Sequence, residues 1–218
     1  GGAYAEYIVL SEEHLALKPK NTSFTEAAGI PLASLTAYQA LVDAAKVKAG
    51  ERVLIHAAAG GVGGFGVQIA RDRGAVVWGT ASRRNEEYVR SLGAERVIDY
   101  TRDDVGRAVR SVYPDGVDVV FDCVGGKVLK KSAELVRKGG RLISIVDSLD
   151  EQSLRQRDIR FEFVFVAPNA VELKAIEEMV EQRRLRVHLS KVLPLADARE
   201  AHELIESGHT RGKIVLEV

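Results

Sequence analysis

The sequence lacks most of what marks a disulfide-built, metal-structured or membrane-spanning protein. Among its 218 residues Cys123 is the single cysteine, so no intrachain disulfide can form and a structural zinc cluster has too few thiolates. No apolar run is long enough to span a bilayer, and the opening residues do not read as a secretory signal. Neither sign of charge is in excess. With 31 basic and 31 acidic residues the formal net charge is zero, which argues against a nucleic-acid or anionic-membrane surface. Internal repeats, low-complexity tracts and long linkers are absent as well. These absences point to a cytoplasmic globular chain of one large domain, or one and a half smaller ones. What is present in quantity is core: 46% of residues are hydrophobic and 28% charged.

The chain is organised around Arg52–Gly66, RVLIHAAAGGVGGFG. Val53, Leu54 and Ile55 read as a strand buried on both faces. Gly61-Val62-Gly63-Gly64-Phe65-Gly66 then fits G-x-G-x-x-G, and Val67, Ile69 and Ala70 begin a helix running to about Arg73. Strand, glycine turn, helix is the context that makes this pattern specific for a dinucleotide. Gly61 permits the tight turn, Gly63 lets backbone approach a pyrophosphate, and Gly66 lets the helix pack on the strand. The helix N-terminus offers unpaired N–H groups and partial positive charge to the diphosphate.

Before this stretch, Tyr4–Val9 and His14–Leu17 suggest two short strands, and two alone would be marginal in water. Thr25–Ala28 opens a short helix capped by Thr22 or Ser23. Pro31 interrupts, and Ser34 or Thr36 starts a helix through Leu41 and Ala45. After the glycine turn, strands are expected at 75–80, 96–99, 117–122, 141–146 and 159–166. Helices are expected at 85–92, 103–112 and 127–136, with Gly139-Gly140 turning the chain into the fifth strand. The alternation is that of a parallel sheet with right-handed crossovers. Six strands complete a doubly wound α/β fold in the order 3-2-1-4-5-6. The tail adds helices at 170–181 and 197–206, the latter with Leu204 and Ile205 facing inward, extended chain at 187–193 and a strand at 213–218.

Such a fold binds its ligand at the carboxyl ends of the strands. At the end of the second strand an NAD site carries a carboxylate for the ribose. Here Gly79–Asn85 holds none, and Arg83 and Arg84 are present. A 2′-phosphate is repelled by a carboxylate and held by a guanidinium, so NADP(H) is preferred, with Arg83 the better candidate. The alternative is a pair of solvated charges, although cations at a helix start oppose its dipole. Tyr100, ending the third strand, can lie against the adenine or the 2′-phosphate, or simply in water. Cys123-Val124-Gly125-Gly126 ends the fourth strand. A lone buried cysteine is usually inert. Ile145-Val146 and Phe165-Val166 either wall a nicotinamide pocket or serve as plain core. His56, between strand and glycine turn, is read as structural rather than as an acid or base. His14, His188, His202 and His209 show no ligand spacing.

Taken together, AAAGGVG, the preceding PLASLTAYQAL, the following SLGAERVIDY and the terminal GHTRGKIVLEV resemble the medium-chain dehydrogenase/reductase superfamily. Within it the resemblance is to the zinc-free NADPH:quinone oxidoreductase, or zeta-crystallin-like, branch, and it covers essentially the whole chain. It implies a Rossmann domain over residues 34–185, flanked by remnants of a GroES-like β domain. Residues 1–33 would be the C-terminal part of that catalytic domain and residues 186–218 a return to it. Roughly 80 to 100 residues of its first part would lie outside this sequence. The resemblance implies Gly60, Gly61, Val62 and Gly63 for the diphosphate, and Ser82 and Arg83 for the 2′-phosphate with Tyr100 nearby. Thr36, Val124, Ile145 and Phe165 would flank the nicotinamide, and Arg211 would face the cofactor phosphates. Where the zinc-dependent branch has a metal cysteine, Pro31-Leu32-Ala33-Ser34 has none, so no metal is expected. The activity implied is hydride transfer from NADPH to a small-molecule quinone or α,β-unsaturated carbonyl, with no residue identified as essential acid or base. An enoyl reductase of the same superfamily and a non-catalytic NADP(H)-binding module are the alternatives. A homodimer is implied through the sixth strand, with Phe161, Phe163 and Phe165 on its edge.

Overall fold

The computed structural model describes residues 2–218, with the backbone alone at 151 and 153. The chain divides into two units, one of residues up to Leu35 together with Ala167–Val218, the other Thr36–Val166.

In the first unit the strands expected at Tyr4–Val9 and His14–Leu17 do not form. The segment's regular structure is a 3₁₀ turn at Glu12–His14, and Tyr7 and Val9 are 89% and 97% exposed. A strand is held by ladder bonds to a neighbour, and among the described residues none pairs here. Helix α1, Phe24–Ala28, is capped by Ser23 in a reciprocal box with Glu26. Ser23 Oγ accepts from Glu26 N at 3.0 Å, and Ser23 N donates to Glu26 Oε2 at 2.8 Å. Helix α2, Pro31–Tyr38, begins at the proline that was expected to interrupt. A fixed φ and a missing N–H suit the first helical position, where that N–H would have no intrahelical partner. A π-helical turn, Gln39–Ala44, continues it.

Three consecutive apolar residues centre the second unit. Val53, Leu54 and Ile55 are at most 1% exposed in β1, Arg52–Ile55. The chain then alternates: α3 (Gly61–Asp72), β2 (Val76–Ala81), α4 (Glu86–Ser91), β3 (Arg96–Asp99), α5 (Val105–Arg110), β4 (Val117–Asp122), α6 (Gly126–Ser132) and β5 (Val136–Ser144). Then follow α7 (Glu151–Gln156), which the sequence reading did not mark, and β6 (Arg160–Phe163). All pairs are parallel and the order is β3-β2-β1-β4-β5-β6, as the alternation implied. Leu54, Trp78, Ile98, Val120 and Leu142 pack with Val109, Leu129 and Leu135 into a buried cluster. The fifth strand differs from expectation. Gly139-Gly140 does not turn into it but lies within it: Val136 pairs with Val117 and Arg141 with Val119, so residues 137–140 bulge out.

That bulge brings Arg137 to the lower end of β4. Asp118, its side chain 10% exposed, accepts from Arg52 N and Nε at 2.8 and 2.7 Å and from Arg137 Nε. Burial pushes this carboxyl up, but the Arg52 and Arg137 bonds outweigh burial and hold it well below the usual carboxylate range. Asp118→Asn should therefore destabilise the fold by about 3 kcal/mol in urea unfolding, because two guanidiniums lose their countercharge. The glycine turn should be undisturbed, since Asp118 lies at the opposite end of the sheet from it.

In the remaining part of the first unit, Asn169 Oδ1 caps α8, Ala170–Glu181, accepting from Val171 N and Glu172 N at 3.0 and 3.2 Å. Asn21 Nδ2 donates to Val180 O at 3.0 Å, tying the N-terminal segment to the end of α8. Helix α8, expected within residues 34–185, thus belongs to the unit of Ala167–Val218. Strands β7, Leu189–Pro194, and β8, Lys213–Glu217, form a parallel pair with α9, Ala198–Glu206, beside them. Ala201 is buried and Leu204 half-buried. The expected inward Ile205 is 52% exposed, because a two-stranded ribbon covers only a narrow stripe of the helix.

Candidate functional site

One rung of the sheet runs Val97, Gly79, Ile55, Phe121, Ile143. Past it the chain leaves β1, β2, β4 and β5 at one edge. The crossovers diverge between β1 and β4, which makes this edge the switch point of the sheet.

The turn out of β1 carries a non-glycine residue, Ala57, at φ +50°. Ala57 N donates to Thr80 Oγ1 at 3.3 Å, Ala58 N to Thr80 O at 3.0 Å, and Gly60 N to Ala57 O at 2.9 Å. Gly60 is the N-cap of α3 and has no side chain with which to cap it. The first-turn amides of Gly61, Val62 and Gly63 lack intrahelical partners and suit an anion. Gly63 is required by the turn itself: a Cβ there would stand 2.3 Å from Ala57 O. The close approach expected of a pyrophosphate is made in this structure by the chain's own carbonyl. A Cβ on Gly66 would meet the Phe121 ring at 3.1 Å, so this glycine seats α3 on β4.

His56 is 4% exposed and wired on both sides. Nδ1 lies 3.2 Å from Thr80 Oγ1 and Nε2 2.9 Å from Ser132 Oγ, whose hydroxyl donates to Val128 O at 2.7 Å. That pattern places the proton on Nε2, with Nδ1 accepting from Thr80. Burial lowers the imidazole from 6.5 to about 4, so it is neutral and structural. The unfolded chain takes up this proton near 6.5 and the folded chain only near 4. The stability His56 confers is therefore full above pH 6.5 and is lost as the pH falls toward 4, by about 3 kcal/mol. Urea unfolding between pH 7 and 4 should show that loss, and His56→Gln should flatten it.

At the tip of β2, Ser82 precedes a 3₁₀ turn, Arg83–Asn85, and its carbonyl accepts from Asn85 N at 2.8 Å. Arg83 and Arg84 are exposed. A carboxylate stands beside them that the local sequence did not reveal. Asp99 pairs in register with Ala81, and its Oδ1 accepts from Thr101 Oγ1 and N at 2.7 and 3.1 Å. The Thr101 hydroxyl in particular holds it below the usual range. Only the β2–β3 register, invisible in a single sequence, brings it there. Tyr100 follows at the β3 tip, 52% exposed.

At the β4 and β5 tips, Val124 is 45% exposed and Ile145 half-buried, with Ile145 N donating to Asp122 O at 3.3 Å. Burial pushes the Cys123 thiol well up, which removes it as a nucleophile. Asp122 and Ser144, both 0% exposed, were not marked as functional in the sequence. Phe165 lies just past β6 and is 85% exposed, and Thr36 is 7% exposed within α2. The structure thus brings Gly60–Gly63, Ser82, Arg83, Tyr100, Val124 and Ile145 to one edge of the sheet. Arg211 lies in the other unit, where its charge acts on His188. Among the described residues no group of three or more His, Cys, Asp or Glu could hold a metal ion.

A family model described as zinc-binding dehydrogenase matches residues 92–216. A probable zinc-binding oxidoreductase, mitochondrial, from Arthroderma benhamiae is 37% identical, over 100% of this chain and 69% of its own length. The solved quinone oxidoreductase of Coxiella burnetii superposes with TM-score 0.85 at 37% identity, over 93% of this chain and 63% of that one. A structure described as an NAD-dependent alcohol dehydrogenase superposes with TM-score 0.91 at 37% identity, over 100% of this chain and 65% of that one. The chain thus spans about two thirds of the length of these proteins.

Proposed function

Since the chain belongs to the zinc-binding dehydrogenase family of the medium-chain dehydrogenase/reductase superfamily, we propose that it is the NADPH-holding part of an oxidoreductase. When bound, the coenzyme supplies a hydride to a quinone or an α,β-unsaturated carbonyl. The observation that carries the reading is the uncapped α3 turn at the switch point of the sheet. Gly60–Gly63 line the diphosphate, which rests on the backbone amides of Gly61, Val62 and Gly63. Ser82 and Arg83 take the 2′-phosphate, Val124 and Ile145 border the nicotinamide, and Thr36 and Phe165 complete the cofactor's surroundings.

Two observations pull against the choice of phosphorylated coenzyme: the NAD-dependent relative, and Asp99 beside Arg83. Arg83 supports it, because its exposed guanidinium is one residue beyond Ser82, while Asp99 has Oδ1 engaged by Thr101 and Oδ2 buried from solvent. The reaction is proposed to run without zinc, since the sole cysteine is half-buried and its surroundings push its thiol well up. No helix among the described residues is long and apolar enough to cross a membrane. A cytoplasmic location and a homodimer through β6 belong to the same proposal. In that edge Phe163 is 42% exposed, whereas Phe161 packs against the core.

A binding module without catalysis is the second reading, favoured by the absence of an available acid or base in His56 and Cys123. Nicotinamide fluorescence on mixing with NADPH, followed by loss of its absorbance on adding a quinone or an enoyl thioester, separates the two. Fluorescence enhancement with turnover supports the reductase. Enhancement without turnover supports the module, and no enhancement contradicts both.

A further inference from the structure

The fourth strand ends on a carboxylate sealed from solvent, a costly placement for a charge with no cation among its hydrogen-bond partners. Asp122 pairs in register with Ser144 of β5, and both are 0% exposed. Asp122 Oδ1 accepts from Val124 N and Gly125 N, both at 3.3 Å. Oδ2 accepts from Gly125 N at 3.0 Å and from the Ser144 hydroxyl at 2.9 Å. Ser144 Oγ in turn accepts from Val146 N and Asp147 N, both at 3.3 Å. Asp147 closes the circuit, its Oδ2 accepting from Gly126 N at 2.6 Å. Three side chains therefore lock the loop after β4 to the loop after β5. On the outside those loops present Val124 and Val146, 45% and 46% exposed.

We propose that Asp122 is a positioning residue, which through Ser144 fixes these two loops as one apolar platform for the nicotinamide ring. The inference rests on the cofactor reading above and extends it to a residue that does not touch the cofactor. An acceptor-only group is what the geometry demands, because every group hydrogen-bonded to the Asp122 side chain is a donor. Asparagine keeps the shape but turns an N–H₂ toward the Gly125 amide or the Ser144 hydroxyl. Burial, with the nearby Asp147 charge, pushes the Asp122 carboxyl up, which fits a group retained for its geometry rather than for ion pairing.

The test compares NADPH with adenosine 2′,5′-bisphosphate, which reaches only the adenosine side of the site, by calorimetric titration of the whole chain. Wild type should bind NADPH more tightly than the fragment. Asp122→Asn should weaken NADPH about tenfold while leaving the fragment within about twofold. Ser144→Ala, which removes the relay to Val146 and Asp147 without changing charge, should do the same and carries the test if Asp122→Asn does not fold. Equal loss for both ligands, or no loss for either, overturns the positioning role. Wild type binding both ligands equally also overturns it, leaving the cofactor reading intact. Wild type binding neither ligand overturns the cofactor reading and this inference together.

Discussion

Gly63→Ala is expected to weaken NADPH binding at least a hundredfold, about 3 kcal/mol. The methyl group would stand 2.3 Å from Ala57 O, 2.8 Å from Ala57 C and 3.0 Å from Ala58 Cα. All three are backbone atoms, so no side chain can swing away. The turn must open, and Ala57 is already held in the left-handed region by its bond to Thr80. Opening it moves the first-turn amides away from the diphosphate, and it costs fold stability too. The neighbouring Gly64→Ala is the control. Its Cβ would meet Leu92 Cδ1 and Tyr88 Oη at 3.4 Å, ordinary contact with side chains. In a helix interior alanine is about 1 kcal/mol better than glycine, so Gly64→Ala should bind normally and melt no lower. Titration by nicotinamide fluorescence with thermal melts of both variants measures the contrast. Equal binding by the two would mean that the turn does not hold the diphosphate.

The second large effect is one of selectivity. Arg83→Ala should weaken NADPH by about 1–3 kcal/mol and leave NADH nearly unchanged, because a charge-assisted bond to the 2′-phosphate has no counterpart in NADH. Asp99→Asn should act in the opposite sense by removing a negative charge from the neighbouring strand tip. Equal loss of both coenzymes in Arg83→Ala would refute the 2′-phosphate role.

Much of the fold was readable wherever the information was local. Val117–Asp122 and Ala170–Glu181 begin and end where hydrophobic run and helical spacing put them, and the strand order followed from the alternation. Expectation failed where the deciding partner lies far along the chain. Tyr4–Val9 has strand composition but no strand beside it among the described residues. The bulge at 137–140 depends on pairing with β4. Helix α7 is short and is anchored by buried Leu154, too little apolar periodicity to be noticed. The site divides the same way. The glycine turn and the Ser82-Arg83 pair are contiguous in sequence, and the structure places them at the tips of β1 and β2. Asp99 and Asp122 matter through a register with Ala81 and Ser144, and the sequence showed them only as the last polar residues of two strands.

The most direct trial of the whole account is a crystal structure of the chain grown with NADPH. The diphosphate should rest on the amides of Gly61, Val62 and Gly63, and the 2′-phosphate should lie against Ser82 and Arg83. A diphosphate bound elsewhere, or a β1–α3 turn left empty at saturating coenzyme, would contradict it.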